Sequence, residues 1–255
     1  MGLVICFIDD SDFEHDLVRN EIAPSAPDLD FIQAYTFDEA RDLLGSKIPV
    51  LFLLDLWGQD MEVRRPYLMS KEELEKRVSK LNSLDFVYNG LENFKGDQNN
   101  EYLKRLFTII DSWRNLFEEV CDHIGQNRKY GLANLRQVRK DYPGVPALFY
   151  TRKSLINDAV AMFQAGADGL FIKPTGSHDK ETRNLTREYA PKLIKEFARI
   201  IDSNINHLKK NREFYRARMM DKGINVEEII SDWKKFRNKS KKPICACLDK
   251  DLPDA

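Results

Sequence analysis

Two hydrophobic rhythms alternate along the first third of the chain. Leu3 to Ile8 is a continuous apolar run that stops at Asp9-Asp10, as a strand buried on both faces does. Phe13, Leu17, Val18 and Ile22 then follow at helical spacing. Leu29 to Tyr35 gives a second strand, and Thr36 to Leu44 reads as a short helix ended by Gly45. Val50 to Leu54 is a third apolar run, and it stops on Asp55.

The rhythm resumes late. Pro146 to Tyr150 is apolar up to Thr151, Ser154 to Ala165 is helical up to Gly166, and Gly169 to Ile172 stops at Lys173-Pro174. Five strands with interleaved helices predict an open parallel sheet, because parallel neighbours need crossover connections. Residues 57 to about 129 carry no strand pattern. Ser70 to Glu73 forms a capping box, and apolar residues recur at three- and four-residue steps from Leu103 to Ile124, predicting a long amphipathic helix of about six turns. After Pro174 a stripe runs through Leu193, Ile194, Phe197, Ile201, Ile205 and Leu208, with Pro191 expected in the helix's first turn. Gly223 interrupts, and Val226 to Phe236 gives one more helix. The expected organisation is 1–56 plus 130–180 as one α/β domain, 57–129 as a helical insertion and 181–255 as a helical C-terminal extension.

Composition narrows the classes. Of 255 residues 42% are hydrophobic, among them 15 Phe, 9 Tyr and 3 Trp, which is too much apolar material for a disordered chain. Apolar runs fall short of the roughly 18 residues that span a bilayer, and the N-terminus lacks a basic leader, so neither a membrane span nor a signal peptide is expected and the location is cytoplasmic. Cys6, Cys121, Cys245 and Cys247 lack metal-site spacing and read as thiols of a reducing compartment. The net charge of −1 conceals an asymmetry: Thr182 to Lys242 holds 17 Lys/Arg against 8 Asp/Glu. With few aromatics interleaved, that excess reads as a solvated helix face rather than a nucleic-acid surface.

The strand ends carry the chemistry. Asp9-Asp10, Asp55, Thr151 and Lys173 each close a run, and ligands of open α/β sheets collect at the carboxyl ends of the strands. Three carboxylates in proximity repel unless a cation sits among them, and an incomplete oxygen cage suits Mg²⁺. A lysine and a threonine hydroxyl opposite them complete what an aspartyl-phosphate site needs: a carboxylate nucleophile, a metal and two groups that stabilise phosphoryl charge.

The stretches Ile5-Cys6-Phe7-Ile8-Asp9-Asp10, Leu53-Leu54-Asp55-Leu56, Ala147-Leu148-Phe149-Tyr150-Thr151 and Ala165-Gly166-Ala167-Asp168-Gly169-Leu170-Phe171-Ile172-Lys173-Pro174 resemble the receiver domain of bacterial two-component response regulators. The resemblance covers residues 1–56 and about 130–175. It implies a five-stranded, doubly wound, flavodoxin-like sheet with Asp55 as phosphoacceptor. It further implies a Mg²⁺ site of Asp9, Asp10, Asp55 and the Trp57 backbone carbonyl, Asp10 and Asp55 binding directly and Asp9 through water, with Thr151 as the switch hydroxyl and Lys173 as the phosphate-pairing cation ahead of a cis bond to Pro174. The partner it implies is a sensor histidine kinase or phosphotransfer protein. Leu170 stands where the family usually has an aromatic residue, and the gap from Asp55 to Thr151 is several times the family's, so the output machinery is altered.

Two other readings remain open: a haloacid-dehalogenase-type phosphatase using Asp10 and Asp12, and a receiver-like scaffold that is never phosphorylated. For the output, the apolar stripe from Ile194 to Leu208 is expected to mediate a homodimer or partner docking through the C-terminal helices.

Overall fold

The apolar runs become strands in a computed structural model of the chain, which describes residues 3–59, 67–152, 156–220, 223 and 225–239. Cys245 and Cys247 lie outside the described residues. The elements begin with β1 (Leu3–Ile8), α1 (Asp12–Leu17), β2 (Leu29–Ala34), α2 (Phe37–Leu44) and β3 (Leu51–Leu54). Next come α3 (Lys71–Val78), α4 (Leu84–Tyr88), α5 (Gln98–His123) and α6 (Lys129–Asp141). The chain continues through β4 (Ala147–Thr151), α7 (Ile156–Gln164), β5 (Gly169–Ile172), α8 (Asp179–Lys210), α9 (Arg212–Met220) and α10 (Val226–Lys239).

All five numbered strands pair in parallel, in the order β2-β1-β3-β4-β5. This is the flavodoxin-like order, with its switch point where β1 meets β3. β1 and β3 are buried along their whole length, which is why their sequences show no polar alternation. Helices flank the sheet, as the crossovers between parallel strands require.

The chain forms two compact units, Met1–Trp57 with Arg128–Ala255, and Gly58–Asn127. The second unit is mainly helical, but it also contains strand: Gly58–Gln59 pairs antiparallel with Gln126–Asn127, where no strand was expected. Two residues a side are too few to leave a periodic signal. Within this unit α3 opens on the capping box at Ser70, whose hydroxyl accepts from the Glu73 amide at 3.2 Å while Glu73 accepts from the Ser70 amide at 2.9 Å. Arg105 of α5 donates to the carbonyls of Val87 and Asn89 at 3.2 and 2.7 Å and so ties down the end of α4.

α8 corrects two expectations. Pro191 lies inside this 32-residue helix rather than in its first turn. The helix starts earlier, at the His178 cap, and its first half buries Thr182, Thr186 and Ala190 against the π-helical turn Val18–Ile22. Threonine and alanine four residues apart give a close-packing face that does not read as an apolar stripe. The missing proline N–H costs one bond, which the burial on both sides of it outweighs.

The stripe from Leu193 to Leu208 is not a free surface. Leu193, Phe197, Ile201, Ile205 and Leu208 are each at most 2% exposed within their own unit. Phe197 stacks edge-on against Phe171 of β5 at 5.8 Å. Ile201 and Ile205 line a small void with Pro49, Val50, Pro146 and Ile229, beneath the starts of β3 and β4. Trp233 of α10 donates to Asp202 of α8 at 2.7 Å. The C-terminal helices therefore cover the amino ends of the strands, and the expected homodimer or docking through this stripe is withdrawn, because the stripe is already covered. Ile201→Ala is expected to lower the unfolding free energy by about 2–5 kcal/mol in urea denaturation, with no change of mass in solution.

Candidate functional site

The predicted site residues Asp9, Asp10, Asp55 and Lys173 follow strands, and Thr151 ends one, so the register places them. Ile8 is paired with Leu54, Leu54 with Phe149, and Thr151 with Ile172. Backbone bonds extend the ladder past the strand ends: the Asp9 amide donates to Ala34 O at 3.1 Å, that of Asp55 to Ile8 O at 2.9 Å and that of Lys173 to Thr151 O at 3.0 Å. Residues distant in sequence thus meet at the carboxyl edge of the sheet, beside the switch point. Trp57 follows two residues after Asp55 and is buried.

The side chains form a compact cluster. One ligand atom each from Asp9, Asp10 and Asp55 lies within 4.8 Å of the others. The Lys173 ammonium donates to Asp9 Oδ2 at 2.5 Å and to Asp55 Oδ1 at 2.9 Å. Asp9, Asp55, Thr151 and Lys173 are all buried. The peptide before Pro174 is trans, contrary to the expected cis bond; Lys173 reaches both acids without it.

Burial dominates the electrostatics. It pushes the Asp9 carboxyl up to about 7, against the pull of Lys173 and with the help of Asp55. It raises Asp55 too, opposed by Lys173 and by the Thr151 hydroxyl. Lys173 goes the other way: burial alone would lower it, but Asp55, Asp9 and Glu14 together hold it protonated. The Thr151 hydroxyl is buried and makes no hydrogen bond of good geometry, although it lies close enough to Asp55 to favour its charge.

Several neighbours escaped the sequence reading. Glu14 of α1 is buried, with Oε2 3.5 Å from Lys173 Nζ and Oε1 accepting from Arg152 Nε at 2.6 Å. It lies one helical turn beyond Asp10, and Arg152 directly follows Thr151, so position relative to the strand ends was the available signal. His15 Nε2 is bonded to Asp9 O at 2.9 Å. Tyr130 of α6 donates to Tyr35 O at 2.7 Å; burial, and then the charges of Asp9, Asp10 and Asp55, keep its phenol protonated. Asp12, which the phosphatase reading requires, is exposed, accepts from the Tyr35 hydroxyl and is not among the three clustered acids.

The donor set fits a divalent cation. Its ligands are all oxygens, as Mg²⁺ prefers, and one lysine cannot neutralise three neighbouring carboxylates. Removing the lysine exposes that imbalance. Lys173→Met is expected to cost about 3–5 kcal/mol at pH 8 in metal-free urea denaturation. The cost should shrink at pH 5.5. Asp9's folded-state value lies above its ordinary 3.8, so the protonated form is favoured by folding below about 7 and that contribution is lost as pH rises.

No protein-family sequence model matches the chain, and no curated protein matches it. Solved structures do. A CheY-like response regulator receiver domain protein from Methanospirillum hungatei is 13% identical, with a TM-score of 0.40, over 80% of this chain and 99% of that one. The response regulator domain of Thermotoga maritima CheB is 13% identical, with a TM-score of 0.41, over 79% and 98%. NtrX from Brucella abortus is 18% identical, with a TM-score of 0.43, over 85% of this chain and 30% of its own length. Among the described residues no helix is long and apolar enough to cross a membrane. The solved structures to which this chain is similar include CheY-like response regulator receiver domains, and its own strand order is the flavodoxin-like one.

Proposed function

We propose that this chain is a phosphorylation-controlled signalling switch with Asp55 as its phosphoacceptor. The observation that carries the reading is the convergence of Asp9, Asp10 and Asp55 around one buried lysine, with the buried Thr151 hydroxyl beside Asp55. That hydroxyl is badly aligned with the Asp55 carboxylate itself, and a phosphoryl oxygen carried on Asp55 would accept its proton.

In this reading the Asp55 carboxylate oxygen forms a bond to phosphorus while the phosphorus–nitrogen bond of a phosphohistidine breaks, the electron pair leaving with the imidazole. The donor is a sensor histidine kinase or a phosphotransfer protein. Asp9, Asp10, Asp55 and the Trp57 carbonyl would hold Mg²⁺. When bound, that ion offsets the charge that develops on the phosphoryl oxygens. Lys173 exchanges its contact with Asp55 Oδ1 for one to a phosphoryl oxygen, and keeps Asp9 as its second partner. Thr151 donates to another oxygen and in moving shifts the turn that carries Arg152. With Leu170 in β5, no aromatic ring follows it inward, so the message leaves through protein contacts near that turn.

Beryllofluoride with Mg²⁺, a stand-in for an acyl phosphate, is expected to bind the wild type and not Asp55→Asn, as read by fluorine NMR. Acetyl phosphate with Mg²⁺ should add one phosphoryl group by intact mass, and only when Asp55 is present; a chain that gains none is the scaffold. Millimolar Mg²⁺ is expected to raise the melting temperature by mass action, and Asp10→Asn to blunt that rise.

A further inference from the structure

α5 exposes one apolar face along most of its length. Leu103, Phe107, Ile110, Trp113 and Phe117 are 52, 63, 60, 49 and 40% exposed, although a helix of a folded unit normally buries its large apolar side chains. The opposite face is occupied, with Leu116 buried and Arg105 fixed on the end of α4, and the exposed face itself stops at the buried Cys121, one turn past Phe117. The five exposed residues recur every three or four positions, the 3.5-residue period of a seam that a second helix covers.

The placement of the five is symmetric. Leu103 and Phe107 stand seven and three residues before Ile110, and Trp113 and Phe117 stand three and seven after it. A two-fold axis at Ile110 therefore sets Leu103 against Phe117 and Phe107 against Trp113, with Ile110 meeting its own copy. Each large ring then meets a partner in an antiparallel pair, and the two helix dipoles oppose. A parallel pair would instead crowd Trp113 and Phe117 against themselves at one end. Arg114, the charge that falls on this face, is already neutralised by Asp111 at 3.1 Å. At roughly 150–250 Å² for each aromatic side chain, the exposed fractions amount to about 500 Å² per copy and about 1,000 Å² for a pair. That reaches the roughly 1,000 Å² that a specific interface should clear.

We propose that the α5 face is the dimer interface of this protein, two copies packing antiparallel about a two-fold axis at Ile110. The interface is isologous, so it closes with two chains. It does not depend on phosphorylation at Asp55.

Sedimentation equilibrium of the full-length chain tests this. The expected mass is twice that of one chain, and Ile110→Glu, a substitution at an exposed position, should weaken association about 100-fold by placing two charges on the axis, with the helical circular-dichroism signal unchanged. A monomeric wild type, or a dimer indifferent to Ile110→Glu, overturns the proposal; a monomer means that something other than a second copy covers this face. Cysteine cross-linking reads the orientation without relying on the charged variant. With Cys245 and Cys247 replaced by serine, Ile110→Cys should cross-link to itself, and Leu103→Cys should link to Phe117→Cys in a mixture of the two. Efficient self-linking of Leu103→Cys, whose copies an antiparallel pair holds about 20 Å apart, would overturn the antiparallel arrangement.

Discussion

One buried ammonium among carboxylates governs the architecture of this site. Lys173 is the shared partner of Asp9 and Asp55 and also faces Glu14, and none of the four could be buried at so little cost without the others. The arrangement requires strands that end level with one another, since Asp9, Asp55 and Lys173 come from β1, β3 and β5. A parallel sheet provides this, because every strand presents its carboxyl end on the same edge. Glu14 does not overload the lysine because Arg152 shares it.

The two ends of the sheet are treated oppositely. The carboxyl edge keeps polar groups in reach of a ligand, while the amino edge is sealed by α8 and α10. At the open edge Thr151 stands beside Asp55, and Arg152 bridges Glu14 of α1 and Thr175 past the end of β5. The sealed edge also gives α8 two unlike sides: Lys192, Lys195, Arg199, Lys209 and Lys210 are exposed, while its inner face holds Phe197, Ile201 and Ile205.

Much of this was legible in the sequence. β1, β3 and β4, buried throughout, write themselves as unbroken apolar runs that stop at polar residues, while β2 carries Asp30 and Gln33 and β5 is only partly buried, yet both keep enough apolar positions to be found. Crossover length and strand count then led to the sheet, and the acids, threonine and lysine to the site. What was missed has physical causes. α6 packs Leu135 and Val138 among charged residues, too short an apolar stripe to stand out. α8 hid its first half because Thr182, Thr186 and Ala190 are small. The partners of Glu14 and Arg152 lie 138 positions apart and share no pattern. The stripe from Leu193 to Leu208 is legible as a buried face, but not that its own sheet rather than a second copy or a partner covers it, since pattern reveals that a face is buried and not by what.

Gly131 shows how the chain tolerates so long a detour between β3 and β4. Its amide donates to Leu56 O at 3.0 Å, and a Cβ there would come within 2.6 Å of Leu56 Cα and strike the Asp55 carbonyl. The backbone therefore returns, after Gly58–Asn127, to touch the turn that it left. Closing a longer loop costs only about 0.6 kcal/mol per doubling, so the detour is nearly free at equilibrium. It matters in time. During synthesis, which proceeds at about 5–20 residues per second, Asp9, Asp10 and Asp55 emerge first, and the whole of the second unit passes before Lys173 exists. The three acids therefore stay in water for several seconds after Asp55 is made, because Asp9 and Asp55 are buried only in company with Lys173.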